Sequence, residues 1–89
     1  MIKFKIAALI PKGRKNAIHQ GQLADLLGVS RQELKAQIRK ERLSGSPILS
    51  DNHGYWTAES EAEVELWRIS MRKQALSILA LLSHLNYKP

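Results

Sequence analysis

Between Gln22 and Leu43 the apolar positions keep a helical period that is broken once. Leu23, Leu26 and Leu27 recur at i, i+3 and i+4, which is one face of a helix. Gly28 ends that helix, since glycine takes a left-handed cap without steric cost. Ser30 opens the next one through a Ser-x-x-Glu box. Its hydroxyl accepts from the amide of Glu33, whose carboxylate reaches back to the Ser30 amide. Leu34 and Ile38 form the apolar side of this second helix, predicted over 30–42. Glu41 falls near that side, where an apolar residue is expected; Leu43 compensates if the chain turns inward after Arg42. Two helices joined by a short turn containing Gly make a helix-turn-helix, the second helix of which reads DNA.

The flanking patterns are shorter. Ile2, Phe4 and Ile6 alternate with lysines as in a strand, whereas Ile2, Ile6, Leu9 and Ile10 share a helical face. The second pattern is longer and predicts a short helix ending before Pro11. Residues 11–16 (Pro-Lys-Gly-Arg-Lys-Asn) read as an exposed basic loop. Ala17-Ile18 suits a brief strand, after which His19 or Gln20 must cap the next helix although neither is a strong cap. Beyond the Ser44–Pro47 turn, Ile48-Leu49-Ser50 and Tyr55-Trp56-Thr57 flank the polar loop Asp51-Asn52-His53-Gly54. That is a β-hairpin placed where a wing follows a helix-turn-helix.

Ser60-x-x-Glu63 is a second capping box and starts the longest helix. Glutamates crowd its first turns and Arg68, Arg72 and Lys73 follow, the order a helix dipole prefers. Val64, Trp67, Met71, Gln74, Ile78, Leu81 and Leu85 alternate at spacings of three and four, with Gln74 the one polar intrusion. From Ala75 to Leu85 the pattern is apolar almost all round. About 26 helical residues make a rod of roughly 39 Å, whereas a compact chain of this size has a radius of gyration of about 12 Å. Such a rod outreaches its own domain, and an all-round apolar helix must be covered. The expectation is a homodimer with Val64, Trp67, Met71, Ala75, Ile78, Leu81, Leu82 and Leu85 at the interface. Folding back on residues 2–10, or docking on a different protein, are the alternatives.

Charge sharpens the functional reading. Residues 1–45 hold ten Lys or Arg against three acids, and residues 46–89 hold four against five. The whole positive excess of a chain of net charge +6 therefore lies in the half with the helix-turn-helix. Phosphate backbone is the expected partner for that field, although basic surfaces also serve solubility. Cysteine is absent, which removes disulfides and thiolate metal sites. No apolar run approaches the roughly 20 residues a membrane span needs. With lysines among its first apolar residues the chain lacks a leader pattern, so a cytoplasmic location, in a bacterium or phage-infected host, is expected. His19, His53 and His84 lie more than thirty residues apart without metal-ligand spacing, and no glycine-rich phosphate loop occurs. Neither an enzyme, a cofactor nor a metal is expected.

On the helix 30–42, the side opposite Leu34 and Ile38 carries Gln32, Lys35, Ala36, Arg39 and Lys40, with Ser30 and Arg31 at its N-terminal edge. Arginine suits guanine, glutamine suits adenine, and alanine leaves room for a thymine methyl. An ordinary solvated helix face is the plain alternative. Lys12, Arg14 and Lys15 of the basic loop could grip phosphates or be solvated loop charge. Asn52 and His53 at the hairpin tip could touch a groove edge or only turn the chain.

The order of helix, basic loop, helix-turn-helix and two-stranded wing resembles winged helix-turn-helix DNA-binding domains. The run Leu23-Ala24-Asp25-Leu26-Leu27-Gly28-Val29-Ser30-Arg31, then Ile38, Gly45, Ile48 and Gly54-Tyr55, is similar to the N-terminal domain of biotin-operon repressors. It also resembles small phage- or prophage-encoded winged-helix proteins, which share Asn-Ala-Ile before the motif and Gly-Tyr-Trp in the wing. The resemblance spans roughly residues 9–67 and implies that Ser30, Arg31, Gln32 and Lys35 lie where a recognition helix meets DNA. No ligase domain follows, so none of that activity is implied. The expected fold is mainly α with a small β-wing, residues 1–59 forming the DNA-binding domain and 60–89 a long dimerisation helix. The expected function is sequence-specific binding of double-stranded DNA, in transcription or in replication. A protein-interaction module working through the apolar C-terminal helix is the alternative.

Overall fold

The computed structural model describes residues 5–86. Two serines fix where two of its three helices begin. Ser30 Oγ accepts from the Glu33 amide at 3.0 Å and starts α2, Arg31–Leu43. Ser60 Oγ accepts from the Glu63 amide at 3.2 Å and starts α3, Glu61–His84. Both boxes depart from the reciprocal pattern. The Glu33 carboxylate meets the Ser30 hydroxyl, at 3.3 Å, rather than its amide. Glu63 uses one oxygen for the Glu59 amide and the other for Trp56 Nε1, which ties α3 to the hairpin.

The first helix, α1, spans Gln20–Leu27; His19 precedes it without a side-chain cap. It ends at Gly28, whose φ of 66° is the left-handed cap expected there. Its inward face differs from the expected one. Leu23 and Ala24 are buried and Leu27 packs against the core, whereas Leu26 is 70% exposed. At 3.6 residues per turn, Leu23, Ala24 and Leu27 share one arc, and Leu26 points about 110° from its centre.

In place of a helix over 2–10 there is one 3-10 turn, Ile6–Ala8, followed by the bend into Pro11; residues 2–4 lie outside the described residues. Ile6 and Ile10 still face inward and join Leu23, Ala24, Leu34, Ile38 and Ile48 in the core. This turn packs on α2.

The basic loop contains a second 3-10 turn, Arg14–Asn16. The hairpin pairs β1, Ile48–Asp51, with β2, Gly54–Thr57, in antiparallel register from Ile48↔Thr57 to Asp51↔Gly54. The expected four-residue loop is thus a two-residue turn, Asn52-His53. The expected strand at Ala17-Ile18 is a single bridge, with Ile18 and Tyr55 exchanging backbone hydrogen bonds at 2.9 and 2.8 Å. Gly54 is required at this crossing. Its φ is 119°, and a Cβ there would run into the Ile18 carbonyl.

Trp67 fastens α3 to the hairpin. Its indole N–H donates to the Ser50 carbonyl at 2.9 Å, and the Arg42 guanidinium lies 4.9 Å from its ring centre. Val64, Trp67 and Met71 are half-buried in this way, while no residue of α3 is fully buried. The chain measures 47 Å in its longest dimension, and its radius of gyration is 15.4 Å. None of the helices described is long and apolar enough to cross a membrane.

Candidate nucleic-acid interface

The helix α2 has two faces, and the inner one fixes how the outer one is presented. Leu34 and Ile38 are in the core, and Glu41 continues their stripe although it is charged. Glu41 is buried because it caps another element. One carboxylate oxygen accepts from the Ile6 amide at 2.7 Å and the other from Ala7 at 3.0 Å, while Gln37 Nε2 donates to it at 2.9 Å. The first amides of the N-terminal 3-10 turn have no partner within the turn. The glutamate that looks misplaced in the sequence therefore replaces a core residue by an anchor.

The next residue turns toward the hairpin. Arg42 Nε donates to the Ile48 carbonyl at 2.7 Å and its Nη2 to Ser50 Oγ at 2.9 Å. Burial lowers the Arg42 pKa, opposed by the Tyr55 phenol, yet an arginine remains cationic. Instead of stopping at Arg42 and turning Leu43 inward, the helix includes Leu43, which is 75% exposed. Leu43 lies opposite the Leu34–Ile38–Glu41 stripe, so it belongs to the outer face.

That face is open. Arg31, Gln32, Lys35, Ala36, Arg39 and Lys40 are all exposed, as is Ser30 at its edge. Among the described residues, none of Arg31, Lys35, Arg39 and Lys40 belongs to an ion pair. Four cations thus share one side of a 13-residue helix without neutralising partners. Arg31 has a further contact. Its guanidinium lies against Gly21 of α1, where an added Cβ would come within 2.7 Å of Nη2. A glycine inside a helix costs stability; here it makes room for that arginine.

A second cluster forms at the hairpin tip. Arg14, Lys15, His19 and His53 line one concavity of about 390 Å³. Arg14 is paired with Asp51 and bonds His53 Nδ1 at 3.0 Å. Asp51 also accepts from the His53 amide at 2.7 Å, bracing the turn. Partial desolvation raises the Asp51 pKa, but the Arg14 and His53 hydrogen bonds, with the charges of both, outweigh it and hold the carboxyl below its ordinary value. The structure therefore brings Arg14, Lys15 and His53 together, with Asn52 exposed beside them. Lys12, also exposed, is set apart by its bridge to Thr57.

Sequence reasoning missed Glu41 as an anchor and Arg42 as the link between α2, the hairpin and α3. Only the charge of Glu41 in an apolar stripe signalled the first, and nothing local signalled the second. Among the described residues no group of His, Asp and Glu could hold a metal ion. Comparison with protein-family models, with curated proteins and with solved structures gives no match to this chain.

Proposed function

We propose that this chain is a winged helix-turn-helix protein that binds double-stranded DNA sequence-specifically, with α2 in the major groove. The observation that carries the reading is the outer face of α2, where Gln32, Lys35, Ala36, Arg39 and Lys40 are exposed and the cations form no ion pair among the described residues. Unneutralised cations attract phosphate, and long side chains on an exposed helix reach base edges. Arg31, whose guanidinium lies beside Gly21 of α1, stands at the N-terminal edge of the face. Arg14, Lys15 and His53 then offer a flanking backbone contact, which orients a protein on the duplex without reading sequence.

In this reading the protein is a small transcriptional regulator or replication-associated factor of phage type, and α3 joins two copies. Selection of bound duplexes from a random pool tests it. A recovered consensus supports the assignment, and a palindromic one supports twofold symmetry as well. A pool that gains no binding over repeated rounds refutes it. The exposed apolar end of α3 favours a second reading, an interaction module on a winged-helix scaffold. That reading predicts no salt-sensitive duplex binding and stable capture of a larger partner protein through residues 75–85.

A further inference from the structure

A groove of about 530 Å³ runs between the hairpin and α3; Leu49, Trp56, Leu66, Trp67 and Met71 form its apolar wall, and polar residues including Arg14, Asp51 and Glu63 line the rest. The side of α3 that faces it continues past the hairpin at spacings of three and four, through Ile78, Leu81 and Leu85. One face of one helix is therefore a socket in its first half and a bare apolar plug in its second. Leu76, Ile78, Leu79, Leu81, Leu82 and Leu85 are each 57–64% exposed. Of these, Ile78, Leu81, Leu82 and Leu85 share one side of the helix and expose roughly 400 Å² together, within the size of the largest apolar patch a monomer leaves.

We propose that α3 pairs with α3 of a second copy in antiparallel orientation, the Ile78–Leu85 end of each seated in the other's hairpin groove. This rests on reading residues 75–85 as a self-association surface. A register centred between Gln74 and Ala75 sets Met71 opposite Ile78, Trp67 opposite Leu82 and Val64 opposite Leu85. Three large pairs of the seam are then apolar on both sides, Leu81 lies against the aliphatic stem of Arg68, and Gln74, the seam's polar intrusion, sits beside the twofold axis. Two glutamines there can hydrogen-bond to each other, the way a single polar seam residue fixes register.

Charge selects the orientation. A parallel pair sets Glu61, Glu63 and Glu65 beside the same glutamates of the partner, and Arg68, Arg72 and Lys73 beside the same cations. The antiparallel pair separates both clusters, opposes the helix dipoles and brings Glu65 beside His84. Area is sufficient: Ile78, Leu81, Leu82 and Leu85 with the groove they enter remove roughly 1,200 Å² over both copies, the lower edge of specific interfaces. Leu76 and Leu79 lie outside this seam.

The chain has no cysteine, so introduced ones report cleanly. Met71→Cys and Ile78→Cys proteins, mixed and mildly oxidised, are expected to give the mixed 71–78 disulfide in excess over either homodisulfide. Leu85→Cys alone is expected to give none. Sedimentation of the unaltered chain at tens of micromolar is expected to show a dimer, and Leu82→Glu a folded monomer. A Leu85→Cys homodisulfide, or a tetramer, overturns the orientation. A monomer that still binds duplex in a salt-dependent way overturns the pairing and leaves the DNA-binding reading standing.

Discussion

Replacing Glu41 by leucine supplies the apolar residue the helical period asks for, so a periodicity argument expects a gain. Replacing a buried charge by a hydrophobe is indeed often neutral or stabilising. Here the carboxylate's partners are backbone amides, which the substitution cannot remove. Ile6 is fully buried and Ala7 partly so, and each hydrogen bond to a charged acceptor contributes about 1.5–3 kcal/mol. The loss is then about 4 kcal/mol, offset by about 1.5 kcal/mol for burying the leucine. The net, about 2–3 kcal/mol, is a large part of the stability of a domain this small. It corresponds to a fall in melting temperature of about 10–20 °C. Glu41→Gln keeps one acceptor and aims its amide group at the second N–H, so it should melt between the two. Thermal unfolding followed by circular dichroism measures all three, and amide exchange at Ile6 should accelerate in the leucine variant. A Glu41→Leu protein as stable as the parent, within about 0.5 kcal/mol, would refute the anchoring argument.

Three further outcomes follow from the same geometry. Gly54→Ala should destabilise by about 2 kcal/mol or more, because the positive φ and the Ile18 carbonyl both oppose a Cβ; an unchanged melt would count against the crossing. Trp67→Phe should cost about 1 kcal/mol for the lost bond to Ser50, and Trp67→Ala about 2–3 kcal/mol, since the half-buried ring also carries the Arg42 contact. Equal melts for the two variants would contradict that division. The Asp51 carboxyl, depressed in the folded chain, adds stability above its ordinary pKa and loses it as pH falls through the folded value, so the contribution disappears below about pH 4. With Arg14 half-exposed the effect is small; Asp51→Asn should flatten the acid limb of a stability–pH curve without moving its neutral plateau upward.

Much of this fold can be read from local signals, and the failures share a cause. Ser30, Gly28 and Ser60 mark helix ends because capping involves residues within one turn, and the hairpin declares itself through adjacent strands. Glu41 is different: the amides it satisfies lie 35 and 34 residues away, so its burial has no local signature. Leu26 and Leu43 misled because leucine predicts burial only on average, while the arc each helix turns inward is set by what packs against it. Which side of α2 faces outward was legible. An outward helix face needs only the inward stripe to be identified, and Leu34 with Ile38 identified it. The Arg14–Asp51 pair was out of reach, because a basic loop looks uncommitted until the hairpin is laid beside it.

The most direct test is the salt dependence of duplex binding by the unaltered chain and by an Arg31→Ala/Lys35→Ala double variant, read by fluorescence anisotropy on a selected duplex. Both residues are exposed, so the double variant should melt within about 0.5 kcal/mol of the parent. Affinity should fall linearly with log salt at a slope near 0.9 per phosphate neutralised. The double variant should bind with a shallower slope and lose about 1–3 kcal/mol for each base contact removed. Equal affinity and equal slope in the two proteins would contradict the assignment of α2 as the DNA-reading helix.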